Sequence, residues 1–151
     1  MNGSLLFNIA RHVAYAGRGS YADYQPLQDQ LYFTQVKVIK ELVEKGPSVI
    51  VGRCADYILR DRKDVLNVFI HADMAFKKKH CMERGQFSEE NMEDMIRRRD
   101  KLRAEHYRYY TDRKWGDSIN YHLCLDSGVF GIEKCVSMVE DACKGMHPVS
   151  Q

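Results

Sequence analysis

Three short apolar runs, separated by amphipathic helical patterns, constrain the fold of this chain more than any other feature of its sequence. The runs are Ser48–Val51, Val65–Ile70 and Tyr121–Leu125. Each is almost continuous in apolar residues, which is typical of strands buried on both faces in a parallel sheet. Strands that alternate with helices predict an α/β fold, in which a parallel sheet is flanked by helices.

Helical spacing of apolar residues and capping signals indicate the remaining elements. Asp73 is placed to cap the helix that follows it, and Gly145 is expected to end the last helix. An exposed connection is expected at residues 17–26. The predicted helices are Leu5–Tyr15, Leu27–Lys45, Ala55–Leu59, Met74–Arg84, Ser88 to about Tyr110, and Ile132–Lys144.

Length and charge indicate one domain that spans residues 1–151. A chain of 151 residues with 44% hydrophobic composition buries one sizeable core. The formal net charge is only +2, so no global positive field favours nucleic acid as a partner. No apolar run reaches the roughly 18 residues that a membrane helix needs, and no signal peptide precedes the first predicted helix. A cytoplasmic protein without a membrane segment is therefore expected.

The cysteines agree with a cytoplasmic location. The five cysteines show no CxxC spacing, and two of them, Cys124 and Cys135, occupy predicted core positions. This pattern is typical of reduced thiols in the cytoplasm. Because His and Cys residues do not gather at ligand spacing, no structural metal is expected.

A fixed cation follows the first apolar run. Gly52-Arg53 comes directly after Val51, and ligands in open α/β sheets bind outside the carboxyl ends of the strands. A guanidinium at this place suits a phosphate because its planar fork donates to two oxygens at once. The alternative is that Arg53 caps carbonyl groups or pairs with Asp56 at a surface turn.

Gln35 is a polar exception on the broad apolar face of the Leu27–Lys45 helix. An amide in such a place needs a hydrogen-bond partner, and most such residues bond nearby backbone. Because this helix leads to Gly52-Arg53, Gln35 is also a candidate substrate-binding residue.

The segment IRRRDKLR, Ile96–Arg103, contains cations on two sides of a predicted helix. With steps of about 100° per residue, Arg99 and Arg103 fall on the apolar stripe that should face the core. Asp100 can pair with Arg103, but Arg99 has no obvious local acid, so a bound anion shared by both arginines is favoured over a structural ion pair. The cations expected on the outer surface are Arg97, Lys101 and Arg108.

The next segment, Arg108–Asp117, mixes cations with aromatic rings in the sequence RYYTDRKWGD. Such interleaving stacks nucleic-acid bases in some proteins and forms a lid over a ligand in others. Since the chain has no long basic surface, an arginine-rich lid at about residues 97–117 is the favoured interpretation.

Three stretches of the chain together resemble the cytidylate-kinase-like family, a branch of the nucleoside monophosphate kinases within the P-loop kinases. The resemblance implies a parallel five-stranded sheet, a site for an acceptor nucleotide, and an arginine-rich lid over the donor phosphates. It also implies ATP as the phosphoryl donor, Mg²⁺ as its cofactor, and CMP or a similar nucleotide as the acceptor. The stretches are Glu44–Asp61 (EKGPSVIVGRCADYILRD), Arg108–Asp117 (RYYTDRKWGD) and Asn120–Lys134 (NYHLCLDSGVFGIEK), within a likeness from about Ser4 to Val139.

Individual residues match the motifs of this family. Arg53 matches the arginine that reaches the acceptor monophosphate, with Asp56 as its neighbour near the acceptor. Arg99, Asp100 and Arg103 match the lid motif, which neutralises charge on the transferring phosphoryl group. The other lid arginines are Arg108 and Arg113.

Two departures from the family pattern change what is expected of the chain. His80 stands where relatives carry another arginine, so that phosphate contact becomes weaker or pH-dependent. No stretch matches GxxxxGK[ST], since the glycine-rich residues 17–20 include no lysine. The expected fold is therefore P-loop-kinase-like with the first strand and phosphate loop missing. ATP should bind poorly, and the chain alone is expected to be weak or inactive as a kinase.

The missing strand has a consequence for the sheet. In the family it lies between the strands that here end at Val51 and Ile70, so their apolar edges would be left open. Direct pairing of the two strands, a homo-oligomer or a separate N-terminal segment would each close this gap.

Three functions remain open from the sequence. The first is a nucleoside monophosphate kinase that transfers the γ-phosphoryl group of ATP to CMP or a similar nucleotide. The second is a non-catalytic nucleotide- or phosphate-binding relative that acts through a partner or self-association. The third, a nucleic-acid-binding module, rests on the arginines and tyrosines and agrees least with the net charge of +2.

Overall fold

The computed structural model describes residues 27–84 and 91–146 of the chain. The predicted helix Leu5–Tyr15, the connection at residues 17–26 and the helix start expected at Ser88 lie outside the described residues. The chain divides into two compact units between Ile58 and Leu59. The prediction of one domain over residues 1–151 is not tested by this division and stays a prediction.

The first unit contains α1, Leu27–Glu44, and the short helix α2, Ala55–Ile58. Tyr32 and Ile39 are the buried residues of α1, as expected where apolar side chains recur at helical spacing. The helix ends just before Gly46, whose φ of 143° suits glycine. Both predicted helices are confirmed to within one residue.

The run Ser48–Val51, predicted as a buried strand, forms no strand. The side chains of Val49 and Val51 are 95% and 86% exposed. A strand needs a neighbour for its backbone hydrogen bonds, and this run pairs with none among residues 27–84 and 91–146. The prediction was wrong because an apolar sequence supplies the preference for a strand but not the partner.

The second unit contains a small parallel sheet of two strands, β1 (Val68–His71) and β2 (Leu123–Asp126). Their last residues, His71 and Asp126, lie directly opposite each other. The predicted parallel pairing is confirmed, although both strands begin later than expected and end one residue further along the chain. Five strands were implied by the resemblance, and the described residues contain two.

Helices flank this sheet, as predicted. Asp73 caps the helix Met74–Glu83 by accepting a hydrogen bond from the backbone N–H of Phe76 at 2.7 Å. Asp126 similarly caps the short helix that follows β2. None of the described helices is long and apolar enough to cross a bilayer. The helices of this unit are α3 (Met74–Glu83), α4 (Met92–Thr111), α5 (Ser127–Phe130) and α6 (Ile132–Gly145).

The core of the second unit includes residues of the sheet and of the helices. Leu125 of β2 is buried, and Met92 of α4 is 1% exposed. Cys135 of α6 is buried, as predicted, but Cys124 is exposed, so its predicted core position was wrong. Neighbouring residues of a strand point to opposite faces, so the burial of Leu125 leaves Cys124 on the uncovered side.

Candidate functional site

Arg53 is presented by a turn with unusual backbone angles, which we name the Arg53 turn (Gly52–Ala55). Gly52, Arg53 and Cys54 have φ values of 68°, 59° and 56°, all in the left-handed region. Glycine adopts this region readily, whereas a residue with a Cβ atom is strained there by of order 1–3 kcal/mol. The turn closes through a hydrogen bond of 3.2 Å from the Ala55 N–H to the Gly52 carbonyl. Strain of this kind persists only where the surroundings fix it, and it clusters at functional sites.

Cys54 anchors the turn from inside the first unit. Its side chain is 3% exposed, and its carbonyl accepts hydrogen bonds from the N–H groups of Tyr57 and Ile58 at 3.0 and 2.9 Å. Burial raises the pKa of the Cys54 thiol to about 11, with a further increase from the Asp56 carboxylate and an opposing effect of Arg53. The thiol therefore stays protonated at neutral pH, which suits an anchor rather than a nucleophile.

Arg53, next to this anchor, is on the surface of the first unit. The residue is exposed, and within residues 27–84 and 91–146 no carboxylate forms an ion pair with it. The surface pair with Asp56, considered as an alternative from the sequence, is thus not formed here. Asp56 is half-buried and has interactions of its own. The role of both residues near an acceptor phosphate stays a prediction.

Gln35 also belongs to the first unit, on the partly buried side of α1. Its Oε1 atom is buried and accepts no hydrogen bond from the described residues. The sequence indicated that this amide needs a hydrogen-bond partner, and the described residues supply none for its Oε1 atom. Its assignment as a substrate-binding residue stays a prediction.

In the second unit, α4 contains the predicted lid arginines Arg99, Arg103 and Arg108, and we name it the arginine helix. Asp100 of this helix forms ion pairs with two cations. Its Oδ2 atom accepts a hydrogen bond from Lys77 Nζ of α3 at 2.7 Å, and its Oδ1 atom accepts one from Arg103 Nη1 at 2.8 Å. The expected pair of Asp100 with Arg103 is thus confirmed, and Lys77 is a partner that the sequence did not reveal.

The predicted inward orientation of Arg99 and Arg103 is wrong. Both residues are exposed, and the side chain of Arg103 is 60% exposed. Between Ile96 and Tyr107 the arginine helix contains no buried residue. A helical stripe is buried only where another element covers it, and the middle of this helix is not covered by the described residues. Arg97, predicted on the outer surface, is 64% exposed and pairs with Glu93 at 2.8 Å.

The end of the predicted lid packs on the sheet. Trp115 meets the ring of Phe69 edge to face, with centroids 5.3 Å apart. A Cβ atom on Gly116 would lie 2.9 Å from Cζ of Phe69, so this approach requires glycine. The predicted lid residues Arg108 and Arg113 are exposed and half-buried, respectively, and their role stays a prediction.

The carboxyl ends of the two strands carry a pair that was missed from the sequence. His71 Nδ1 lies 3.7 Å from Asp126 Oδ2, and the Ser127 hydroxyl donates to the His71 carbonyl at 3.1 Å. Ligands of parallel α/β sheets bind near this edge. The signal was present in the sequence, because each residue directly follows an apolar strand run, but the predicted strands ended one residue too early.

His80, the expected departure from the family, lies in a shallow cleft of about 220 Å³ between α3 and the start of α6. Its ring is parallel to that of Phe76, with centroids 6.1 Å apart. Ligand pockets typically measure about 300–1,000 Å³, and this cleft contains charges of both signs, so no phosphate site is assigned to it. The lining residues are Phe76, Lys79, His80, Glu83, Ile132 and Glu133.

Comparisons with known proteins agree with the resemblance. The model of the cytidylate kinase-like family matches residues 5–129, which include the Arg53 turn, the arginine helix and both strands. A similar solved structure is the crystal structure of an uncharacterized protein from Eubacterium ventriosum ATCC 27560, with 31% identity and a TM-score of 0.73. The similarity covers 78% of this chain and 74% of that chain. No curated protein matches. Since the family match spans most of the sequence, the chain belongs to the cytidylate kinase-like family.

Proposed function

We propose that each unit of this chain binds nucleotide phosphate: the first unit through Arg53 on the Arg53 turn, and the second unit through Arg99 and Arg103 on the arginine helix. The observation that carries this proposal is that Arg53 and Arg103 are each held by a defined support and are nevertheless exposed. Arg53 is fixed by three left-handed residues and the buried Cys54. Arg103 is fixed by its hydrogen bond to Asp100 and is still 60% exposed.

Exposed arginines on fixed supports suit phosphate for two reasons. A guanidinium has five N–H donors in a rigid plane, so one bond from Arg103 Nη1 to Asp100 leaves donors for an anion. A support that already orients the group lowers the entropy that binding must overcome. The shared binding of one anion by Arg99 and Arg103 stays part of this proposal.

The corresponding reaction is the transfer of the ATP γ-phosphoryl group to CMP or a similar nucleotide. Phosphoryl transfer depends mainly on positioning and on electrostatic stabilisation of the transferring group. Arg53 would hold the acceptor phosphate, and Arg99 and Arg103 would neutralise charge that develops on the transferred group. These roles need no covalent chemistry from the protein, which agrees with a thiol kept neutral at Cys54.

The described residues contain no cluster that would hold Mg²⁺ by itself; in phosphoryl transfer this ion is bound by substrate phosphates and waters with one or two carboxylates. Residues 27–84 and 91–146 contain no group of three or more His, Cys, Asp or Glu side chains that could hold a metal. The 151-residue sequence also lacks GxxxxGK[ST], whose hydroxyl and lysine would contact the metal and the donor phosphates. We therefore derive no step through Mg²⁺. Since phosphate binding by exposed arginines requires no transfer step, a second candidate function is a relative that binds nucleotide without turnover.

Calorimetric titration with CMP, dCMP, UMP and AMP tests the binding proposal. Arg53→Ala and Arg103→Ala should each weaken binding by about tenfold, because each removes a charge-assisted hydrogen bond to phosphate. Arg97→Ala is the matched control, since Arg97 is an exposed arginine of the same helix that pairs with Glu93. Equal losses in all three variants would reject the assignment of these arginines.

A coupled ATPase assay with the same nucleotides separates the two candidate functions. Turnover that requires both Mg²⁺ and the acceptor nucleotide would establish the kinase. Binding without turnover would establish the non-catalytic relative.

A further inference from the structure

Two lysines of α3 connect that helix to acids on the arginine helix. Lys77 Nζ lies 2.7 Å from Asp100 Oδ2, and Lys78 Nζ lies 3.6 Å from Glu93 Oε2. The first contact is a hydrogen bond as well as an ion pair. Two ion pairs therefore connect the two helices, and the pair of Lys77 with Asp100 has the shorter distance.

Each acid also receives an arginine from its own helix. Asp100 accepts from Arg103, three residues further on, and Glu93 accepts from Arg97, four residues further on. The same arrangement of lysine, acid and arginine thus occurs twice, with the two acids seven residues apart on the arginine helix, which is about two turns. The side chains of Lys77 and Asp100 are 34% and 24% exposed, whereas those of Lys78 and Glu93 are 41% and 42% exposed. Ion pairs that are less exposed are less screened by solvent and hold their geometry better.

We propose that Lys77 is a positioning residue that orients Arg103 toward the nucleotide phosphate through Asp100. This inference rests on the proposed binding role of Arg103. The bond from Lys77 occupies one oxygen of the carboxylate and so restricts rotation of the Asp100 side chain. The other oxygen, which accepts the hydrogen bond from Arg103 Nη1, then has a fixed orientation. A guanidinium held by such a carboxylate is ordered before the ligand arrives.

Charge balance gives Lys77 a second effect on Arg103. Without Lys77, the Asp100 carboxylate would neutralise Arg103 alone and would repel an approaching phosphate. With Lys77 on the other oxygen, the three groups together carry one net positive charge. The carboxylate can then orient the guanidinium without cancelling its attraction for an anion.

The affinity test uses Lys77→Met, which keeps much of the apolar stem and removes the charge. We expect nucleotide binding by the full chain to weaken about fivefold, as is typical of one member of a coupled network. Lys77→Arg should restore binding, because it keeps a donor to Asp100. Lys78→Met is the matched control on the adjacent residue, and it should leave affinity unchanged.

A double-mutant cycle with Arg103→Ala shows whether Lys77 acts through Arg103. If it does, Lys77→Met has no further effect on affinity once Arg103 is removed. An undiminished effect in the Arg103→Ala background would mean that Lys77 contacts the ligand directly, which would overturn the proposal. Loss of affinity with Arg103→Ala but not with Lys77→Met would also overturn it and leave the proposed function intact.

A second measurement needs no nucleotide, so it separates failure of this inference from failure of the proposed function. Nuclear magnetic resonance relaxation of the Arg103 side-chain Nε–H group reports how well the guanidinium is ordered. Lys77→Met should make this group more mobile, while Lys78→Met should not. Unchanged relaxation in Lys77→Met would reject the positioning role even if nucleotide binds, and increased mobility would support it even if no nucleotide binds.

Discussion

The Arg53 turn and the arginine helix present exposed arginines by different physical means. In the Arg53 turn, the backbone of Gly52, Arg53 and Cys54 is held in the left-handed region and the Cys54 side chain is buried. In the arginine helix the backbone is regular, and Asp100 holds Arg103 through a side-chain ion pair. One arginine is directed by backbone conformation and packing, the other by charge.

Because the two regions hold their arginines differently, they should tolerate different changes of sequence, salt and pH. Backbone conformation and burial respond weakly to salt and to mild acid, but strongly to substitutions that alter φ or fill space. Ion pairs respond in the opposite way, since they depend on protonation and on screening. A change that acts on one kind of support should leave the other unchanged.

The largest expected effect is on the reactivity of Cys54. Because its pKa is raised from 9.0 to about 11, the thiolate fraction at pH 8.5 should be roughly 75-fold lower in the folded protein than in the unfolded chain. Alkylation by iodoacetamide, followed by mass spectrometry of the Cys54 peptide, should slow by a comparable factor relative to protein in urea. Cys143, which is exposed, serves as the control and should change far less on unfolding. Equal rates for Cys54 in both states would show that the turn is not anchored from inside.

A smaller effect is expected from Gly52→Ala. The φ of 68° at Gly52 disfavours a Cβ atom, so the free energy of unfolding should fall by about 1–2 kcal/mol. Gly145→Ala is the control. A Cβ atom would meet nothing within 4 Å at either glycine, but Gly145 is the last residue of α6 and has no positive φ. That control should be neutral or stabilising by up to about 1 kcal/mol. Urea unfolding that gave equal losses for both variants would reject backbone strain as the special property of the Arg53 turn.

The same comparison explains how much was predictable from the sequence. Elements encoded by local signals were placed well: α1 follows its apolar spacing, α3 its Asp73 cap, and α6 its closing Gly145. Parallel pairing of β1 with β2 also followed from the alternation of strand and helix. These features depend on neighbours in the chain, so the sequence pattern is sufficient for them.

Features that depend on distant groups were not predictable in this way. Ser48–Val51 has the composition of a strand but finds no partner among the described residues. Within residues 27–84 and 91–146, no other element covers the stripe that contains Arg99 and Arg103. The contact of Lys77 with Asp100 joins residues 23 positions apart, and no local spacing reports it. The pair of Asp100 with Arg103 was predictable because it spans three residues of one helix.

The smallest expected effect is an acid dependence confined to the arginine helix. A hydrogen bond from Arg97, with smaller effects of the Arg97 and Lys78 charges, lowers the pKa of Glu93 below its ordinary value of 4.5. A carboxylate whose pKa is lowered by folding stabilises the protein above its unfolded pKa, and this contribution is lost as the pH falls through the folded pKa. The difference in urea midpoint between wild type and Glu93→Gln should therefore be small at pH 7 and should disappear in acid. Asp94→Asn, in the same first turn, controls for the helix dipole.

Protection of Cys54 from alkylation should be the same in Glu93→Gln as in wild type, because packing and backbone conformation hold that turn. A Glu93→Gln difference that persisted unchanged into acid would show that its ion pair does not support the helix, and the contrast between the two regions would then rest on Asp100 alone.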